Sequence, residues 1–154
     1  MRIFKSFNPI NTMKKLFILM AIALTIVAAA PRENPADTKI VGAWKVVRAQ
    51  YGSEPMQDFG KDDLSYKMFT GTRWSGAFYN RATKKFDGAG GGSYTIKGDQ
   101  YTEKIEYYSW DSEVVGKTFT FTLKMENGML HQSGTIVYKD NSNYIIDEWF
   151  ERVD

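Results

Sequence analysis

Apolar and polar side chains alternate with a period of two along most of the chain after residue 39. This period is typical of β-strands with one buried face, because successive side chains of a strand point to opposite faces. Short runs rich in glycine, asparagine and aspartate separate the alternating segments, as expected for turns. The pattern predicts eight strands in series, over 39–51, 64–70, 73–80, 92–97, 100–108, 117–126, 129–138 and 143–153. Residues 57–63 are expected to form at most one short helical turn.

Two tight turns fix how neighbouring strands pair. Gly98, and the pair Asn127 and Gly128, stand between alternating segments. Two-residue hairpins require the positive φ that glycine and asparagine adopt easily. The first of these turns should place Tyr94 opposite Glu103, so these two side chains should share one face of the sheet.

The alternation set by the turns predicts which side chains face inwards. Large apolar members such as Phe121 identify the buried face of their strand. Aromatic Tyr101 and Tyr107 share the face of Glu103, whereas His131 is expected on the outer face. Four polar side chains fall on the inner face: Tyr94, Glu103, Gln132 and Glu148.

Consecutive antiparallel strands joined by short turns form a meander, and eight of them can close into an up-and-down barrel. A barrel of this size either holds one small ligand or is filled by its own side chains. Aromatic residues make up 15% of the chain, which suits a wide β interior. The sequence therefore predicts an all-β, eight-stranded antiparallel barrel over residues 39–154.

The first 30 residues have the three parts of a secretory signal peptide. Lys14 and Lys15 precede an apolar run over 16–27, and three alanines at 28–30 provide a small-residue cleavage site. The apolar run is shorter than the roughly 20 residues that a membrane helix needs. We expect residues 1–30 to be removed, residues 31–38 to form a flexible tether, and the protein to be exported to the periplasm or secreted. A retained membrane anchor is the less favoured alternative.

Removal of the signal would change the charge of the protein. Residues 1–30 contain four Lys or Arg and no Asp or Glu, so the rest of the chain has 16 basic and 18 acidic residues, a net charge of −2. A slightly acidic surface offers no electrostatic attraction for phosphates or anionic lipids. The composition therefore argues against nucleic acid and membrane surfaces as partners.

Several motifs resemble a known family. Gly42, Ala43 and Trp44 match the G-x-W signature of lipocalins and their calycin relatives, and residues 67–72, 90–95, 101–107 and 132–134 resemble the short lipocalin-like domain of bacterial secreted proteins. The resemblance implies a cup-shaped barrel closed at one end by Trp44, with Arg152 of the last strand lying across its ring. Unlike full-size lipocalins, the chain lacks a helix after the barrel and any disulfide. The resemblance therefore does not imply a transport role.

The inward polar groups admit two interpretations. In one they orient a ligand inside an otherwise aromatic cup. In the other they only satisfy one another, for example through a Tyr94 hydroxyl that donates to Glu103. Arg73 and Trp74 begin a strand near a rim, where they either meet a ligand carboxylate or form an exposed stack. The candidate ligand-binding residues are Arg73, Trp74, Tyr94, Tyr101, Glu103, Tyr107, Phe121, Gln132 and Glu148.

Catalytic and metal chemistry find less support in the sequence. Glu103 and Glu148 are two inward carboxylates, as glycoside hydrolysis requires, but a barrel of this size rarely admits a polymer. His131 is the only histidine and there is no cysteine, so no transition-metal ligand spacing is visible. Residues 88–92 are glycine-rich, yet neither Lys-Ser nor Lys-Thr follows, which excludes a phosphate-binding loop. We expect no enzymatic activity, no metal and no cofactor.

The leading hypothesis is an exported, monomeric protein that binds a small apolar or amphipathic molecule inside the barrel. A second class is an interaction or inhibitor protein that presents its rim loops, 51–63, 80–91 and 109–116, to another macromolecule. A third is an enzyme that acts within the cup. Ligand binding predicts an open cavity, whereas a rim-loop protein predicts a filled interior.

Overall fold

Nine β-strands make up most of the described structure. The computed structural model describes residues 39–138 and 140–153, and the predicted signal peptide (1–30) and tether (31–38) lie outside the described residues. A 3-10 helix, Ser112–Val114, precedes the seventh strand. Within the described ranges, no helix is long and apolar enough to cross a membrane. The strands are β1 Gly42–Tyr51, β2 Gln57–Asp58, β3 Asp63–Phe69, β4 Arg73–Asn80, β5 Lys85–Lys97, β6 Gln100–Tyr108, β7 Thr118–Glu126, β8 Met129–Val137 and β9 Asn143–Arg152.

Eight of these strands close into a barrel. β1 pairs with β3, each strand from β3 to β8 pairs with the next, and β9 pairs back with β1, always antiparallel. This order confirms the predicted all-β, eight-stranded, up-and-down barrel. Closure leaves neither the first nor the last strand as an open edge. The short β2 pairs with β1 at Arg48 and Ala49, beyond the β1–β3 pairing, and replaces the helical turn predicted over 57–63.

Both predicted hairpins are confirmed. Gly98 (φ 62°), Asn127 (φ 53°) and Gly128 (φ 81°) have the positive φ that such turns require. Across the first hairpin, Tyr94 lies opposite Glu103 as predicted. The face assigned to Tyr94 and Glu103 from the sequence is therefore correct.

The strand β5 begins at Lys85 rather than at residue 92, so most of the loop predicted over 80–91 is strand. Its glycines provide space for neighbouring rings. A Cβ on Gly90 would overlap the Tyr108 ring, and one on Gly88 would overlap the Trp110 ring. The β4–β5 rim loop consequently shrinks to residues 81–84.

A β-bulge in β6 reverses the predicted orientation of Tyr107. The bulge lies opposite Gly91 and Gly92 and makes Glu106 an extra residue in the pairing of β5 with β6. One extra residue shifts the alternation of inward and outward side chains by one position. Tyr107 consequently lies on the outer face, 46% exposed, and Tyr108 takes the inward position.

The closed end of the barrel is built around Trp44, as the lipocalin resemblance implies. Trp44 is buried, and its indole N–H donates to the carbonyl of Ile40 at 2.7 Å. The guanidinium of Arg152 lies 5.2 Å from the Trp44 ring centroid and donates to the carbonyl of Val41 at 2.8 Å. A cation–π contact of this kind contributes about 0.5–2 kcal/mol. The aromatic floor of the barrel consists of Trp44, Phe69, Tyr94, Tyr101 and Phe150.

Candidate ligand-binding site

A cavity of about 480 Å³ occupies the barrel above the aromatic floor. This volume lies in the range of about 300–1,000 Å³ that is typical of small-molecule sites. The cavity reaches the end of the barrel where β4 and β6 finish, and aromatic rings surround it there. This aromatic mouth consists of Phe59, Phe78, Trp110, Tyr138 and Tyr144.

Four polar side chains form a polar layer between the floor and the mouth. On its strand, each lies two residues from an apolar or aromatic core residue that also points inwards. Each of the four is at most 8% exposed. The pairing of β8 with β9 places two of them, Gln132 and Glu148, directly opposite each other. The polar layer consists of Lys67, Glu103, Gln132 and Glu148, all of which line the cavity.

Lys67 is the central member of the polar layer. Its ammonium nitrogen lies 2.8 Å from Gln132 Oε1 and 3.3 Å from Glu103 Oε2. It also lies 4.6 Å from the centroid of the Trp74 ring and 5.3 Å from that of Tyr101. Hydrogen bonds, an ion pair and aromatic faces together compensate for the loss of water around this buried charge.

Glu148 is less well compensated. Its Oε1 accepts a hydrogen bond of 2.6 Å from the Tyr51 hydroxyl, and Oε2 has no hydrogen-bond partner among the described residues. Burial raises the pKa of Glu148, whereas the charge of Lys67 and the bond from Tyr51 lower it less strongly. The negative charge of Glu103 also raises the pKa of Glu148. The polar layer therefore contains one cation and two carboxylates, of which only Glu103 pairs directly with the cation.

Tyr94 does not form the predicted bond with Glu103. Its hydroxyl donates to the carbonyl of Thr70 at 2.5 Å, because its ring lies at the level of the floor and its hydroxyl reaches the β3–β4 turn. Tyr101 donates to Glu103 Oε2 instead, at 2.8 Å. The expectation of mutual satisfaction therefore holds for Glu103, with a different tyrosine as its partner.

The predicted candidates fall into three groups. Trp74, Glu103, Phe121, Gln132 and Glu148 line the cavity. Tyr94 and Tyr101 belong to the floor and pack against each other with centroids 5.5 Å apart. Arg73 and Tyr107 lie outside the barrel.

The outward positions of Arg73 and Tyr107 correct the sequence prediction. Arg73 pairs with Glu106, the extra residue of the β6 bulge, on the outer face. The hydroxyl of Tyr107 lies 2.8 Å from that of Ser75, also on the outer face. Trp74, the neighbour of Arg73, points inwards by strand alternation, so the two residues do not form the exposed stack that was an alternative.

Three polar side chains in or near the polar layer were missing from the predicted set, as were the five rings of the aromatic mouth. Lys67 stands opposite Trp44 on β1, so it shares the inward face of Trp44. Tyr51 is the last residue of β1, and its hydroxyl reaches Glu148. Tyr108 turns inwards because of the bulge in β6. Of these three, only Lys67 had a usable signal in the sequence, namely its alternation with Phe69. The opposite face of β3 is more apolar, and this concealed the signal.

His131 lies on the outer face, as predicted, and has acidic partners there. Its ring stacks on Trp149 with centroids 3.9 Å apart, its Nε2 lies 3.0 Å from Asp147 and its Nδ1 lies 3.4 Å from Glu126. Both ring nitrogens of His131 therefore face carboxylates. Among residues 39–138 and 140–153, no three His, Asp or Glu side chains converge to hold a metal ion.

Replacement of Glu148 by glutamine is expected to raise the free energy of unfolding at neutral pH. Burial raises the pKa of Glu148 in the folded state, so the protonated form favours folding. Its stabilising contribution is full below the unfolded-state pKa and is lost as the pH rises through the folded-state pKa. Urea unfolding at a series of pH values should therefore show a gain for Glu148→Gln that shrinks in acid.

Glu151→Gln is the matched control for this measurement, because Glu151 lies on the exposed face of the same strand. It should change the free energy of unfolding by less than about 0.5 kcal/mol. A Glu148→Gln variant that is less stable than this control at neutral pH would show that the carboxylate stabilises the fold.

No family model and no curated protein matches this chain. Among solved structures, the chain is similar to a lipocalin-like protein from Bacteroides uniformis, with a TM-score of 0.49 and 11% identity over 74% of this chain and 98% of that one. It is also similar to an uncharacterized protein from Bacteroides eggerthii, with a TM-score of 0.43 and 13% identity over 71% of this chain and 98% of that one. The assignment as a lipocalin-like barrel rests on the strand pairings and on the Trp44 floor of this chain itself.

Proposed function

We propose that this protein binds a small amphipathic molecule inside its barrel. The observation that carries the proposal is the cavity of about 480 Å³ between the aromatic mouth and the polar layer. An interaction protein that uses only its rim would have no need of an open interior, so the cavity favours ligand binding over that alternative.

The distribution of polar and apolar groups supports an amphipathic ligand. Apolar and aromatic side chains supply most of the cavity wall, and the polar layer lies at its inner end. Small-molecule sites typically combine an apolar wall with a few convergent polar groups that fix orientation. In this arrangement the polar part of the ligand enters first and its apolar part remains beside the aromatic mouth.

The proposal includes export of the protein and binding without chemical turnover. Export is supported by the sequence of residues 1–30, with its basic, apolar and small-residue parts. Binding without turnover is supported by the contacts within the polar layer. Glu103 and Lys67 bind each other and neighbouring side chains, so neither is free to act on a ligand.

Decanol is a suitable probe of the cavity, because it combines an apolar chain with one hydroxyl group. We expect isothermal titration calorimetry to detect binding of decanol to the full domain after refolding from denaturant, which removes any molecule retained during purification. Ile136→Trp should weaken this binding by about tenfold or more. Ile136 lines the cavity, and the larger tryptophan side chain would fill part of the space that the ligand needs.

Val137→Trp is the matched control. Val137 is the next residue on β8, points outwards and is 65% exposed, so the same substitution there should leave decanol affinity unchanged. The proposal fails if decanol does not bind, or if the two variants bind it equally well.

A further inference from the structure

The charges that line the cavity are unbalanced. Its ionisable wall groups, apart from tyrosines, are the ammonium of Lys67 and the carboxylates of Glu103, Asp111 and Glu148. Asp111 lies near the mouth and caps the 3-10 helix by accepting from the backbone N–H of Glu113 at 2.8 Å. With all four groups ionised, the cavity wall has a net charge of −2, and its inner polar layer has a net charge of −1.

Lys67 does not correct this imbalance. An ammonium has three donors, and Lys67 already directs hydrogen bonds to Gln132 and Glu103, with the ring of Trp74 4.6 Å away. It is therefore poorly placed to bind an anionic ligand. The ammonium of Lys67 pairs with Glu103 rather than with Glu148.

Glu148 presents an unpaired carboxylate oxygen inside the barrel. The side chain is 8% exposed and lines the cavity, and among the described residues only Tyr51 donates to it. Removing a carboxylate from water is costly unless a positive charge or several donors compensate. One hydrogen bond from a neutral hydroxyl, together with the charge of a lysine that pairs with Glu103, is weak compensation, so a cationic group beside Oε2 would stabilise this site.

Aromatic rings surround the same part of the cavity. The pKa values of Tyr51 and Tyr108 are raised, first by burial and then by the negative charge of Glu148. Tyr144 lies two residues from Ile146 on β9 and also lines the cavity. The faces of aromatic rings attract cations, more strongly when water is excluded. A carboxylate beside several tyrosine rings is a suitable environment for an organic ammonium group.

We infer that the ligand is an amphipathic organic cation whose ammonium group binds Glu148 and whose apolar part contacts the aromatic walls. This inference rests on the proposed function and specifies the chemical class of its ligand. The ion pair would neutralise the second carboxylate of the polar layer, while Lys67 neutralises the first.

Three probes with the same chain and different head groups test the inference: decylamine, decanol and decanoate. At mildly alkaline pH, calorimetry should show that decylamine binds most tightly and decanoate least tightly. Glu148→Gln should weaken decylamine binding by about 30-fold or more, the effect expected on removing one partner of a buried charge pair. In the same variant decanol should lose at least about tenfold less affinity than decylamine, because decanol has no charge to pair with Glu148, and its retained binding shows that the cavity is intact.

Glu151→Gln, on the outer face of the same strand, is the control for a general loss of one negative charge and should leave decylamine affinity unchanged. If decanol binds but decylamine has no advantage over decanoate, the inference fails and the proposed function stands. If none of the three probes binds, both fail. Equal losses of decylamine affinity in the Glu148 and Glu151 variants would also overturn the inference, because they would indicate a long-range effect of net charge.

Discussion

Replacement of Lys67 by methionine is expected to lower the free energy of unfolding by about 3–5 kcal/mol, the usual cost of removing one partner of a buried ion pair. Methionine keeps the length and apolar character of the side chain, so little packing is lost. The change leaves Glu103 and Gln132 without the ammonium that lies 3.3 Å and 2.8 Å from them. It also leaves two carboxylates in the polar layer with no cation.

A second substitution separates the charge effect from packing. The double variant Lys67→Met, Glu103→Gln removes the carboxylate that the single variant leaves unpaired, and the amide oxygen can still accept from Tyr101. Its free energy of unfolding should be higher than that of Lys67→Met alone. A double-mutant cycle with Glu103→Gln as the other single variant then measures the coupling between the two side chains.

Urea unfolding is the measurement, and Lys124→Met is the control. Lys124 is exposed and lies 3.6 Å from the exposed Asp99, so its loss should change the free energy of unfolding by less than about 0.5 kcal/mol. Equal losses for the Lys67 and Lys124 variants would show that the interior ion pair contributes little to stability.

Gly92→Ala is expected to lower the free energy of unfolding by about 3 kcal/mol or more. A Cβ at this position would overlap the backbone carbonyl oxygen of Lys104 on the neighbouring strand. Backbone cannot move aside as a flexible side chain can, and this contact lies at the β6 bulge. The substitution should therefore disturb the bulge and the inward position of Tyr108.

Gly60→Ala is the matched control. The atom nearest to a Cβ at Gly60 is Oδ2 of Asp63 at 3.6 Å, which is an ordinary contact, and Gly60 does not have positive φ. Its stability should stay within about 0.5 kcal/mol of the parent protein. If Gly92→Ala unfolds at the same urea concentration as Gly60→Ala, then the strand β5 has more space against β6 than the structure indicates.

The architecture could be predicted from the sequence because its signals are local. The alternation around Phe121 and the turns at Gly98 and Gly128 fix face and register within a few residues. The bulge at Glu106 could not be predicted in this way. It depends on the close approach of β6 to the glycines of β5, which are distant in sequence, and it decides whether Tyr107 or Tyr108 points inwards.

The site could be predicted in part. Glu103, Gln132 and Glu148 follow from alternation next to the turns and along the last strand. Lys67 was missed because a lysine on a strand is usually solvated, and its burial depends on partners from two other strands, Glu103 and Gln132. Alternation predicts whether a side chain points into the barrel, but not how far from the closed end it lies. That height depends on the stagger of the strands. It places Tyr94 in the floor and Glu103 in the polar layer above it.

The four tryptophans of the chain lie in four different environments. Trp44 is in the floor, Trp74 is beside Lys67, Trp110 is in the mouth, and Trp149 is stacked on His131 on the outer wall. Indole emission depends on the polarity around the ring, so a variant that retains one tryptophan reports on one environment. Fluorescence from four such variants would distinguish a molecule seated at the polar layer from one held at the mouth or adsorbed to the outside.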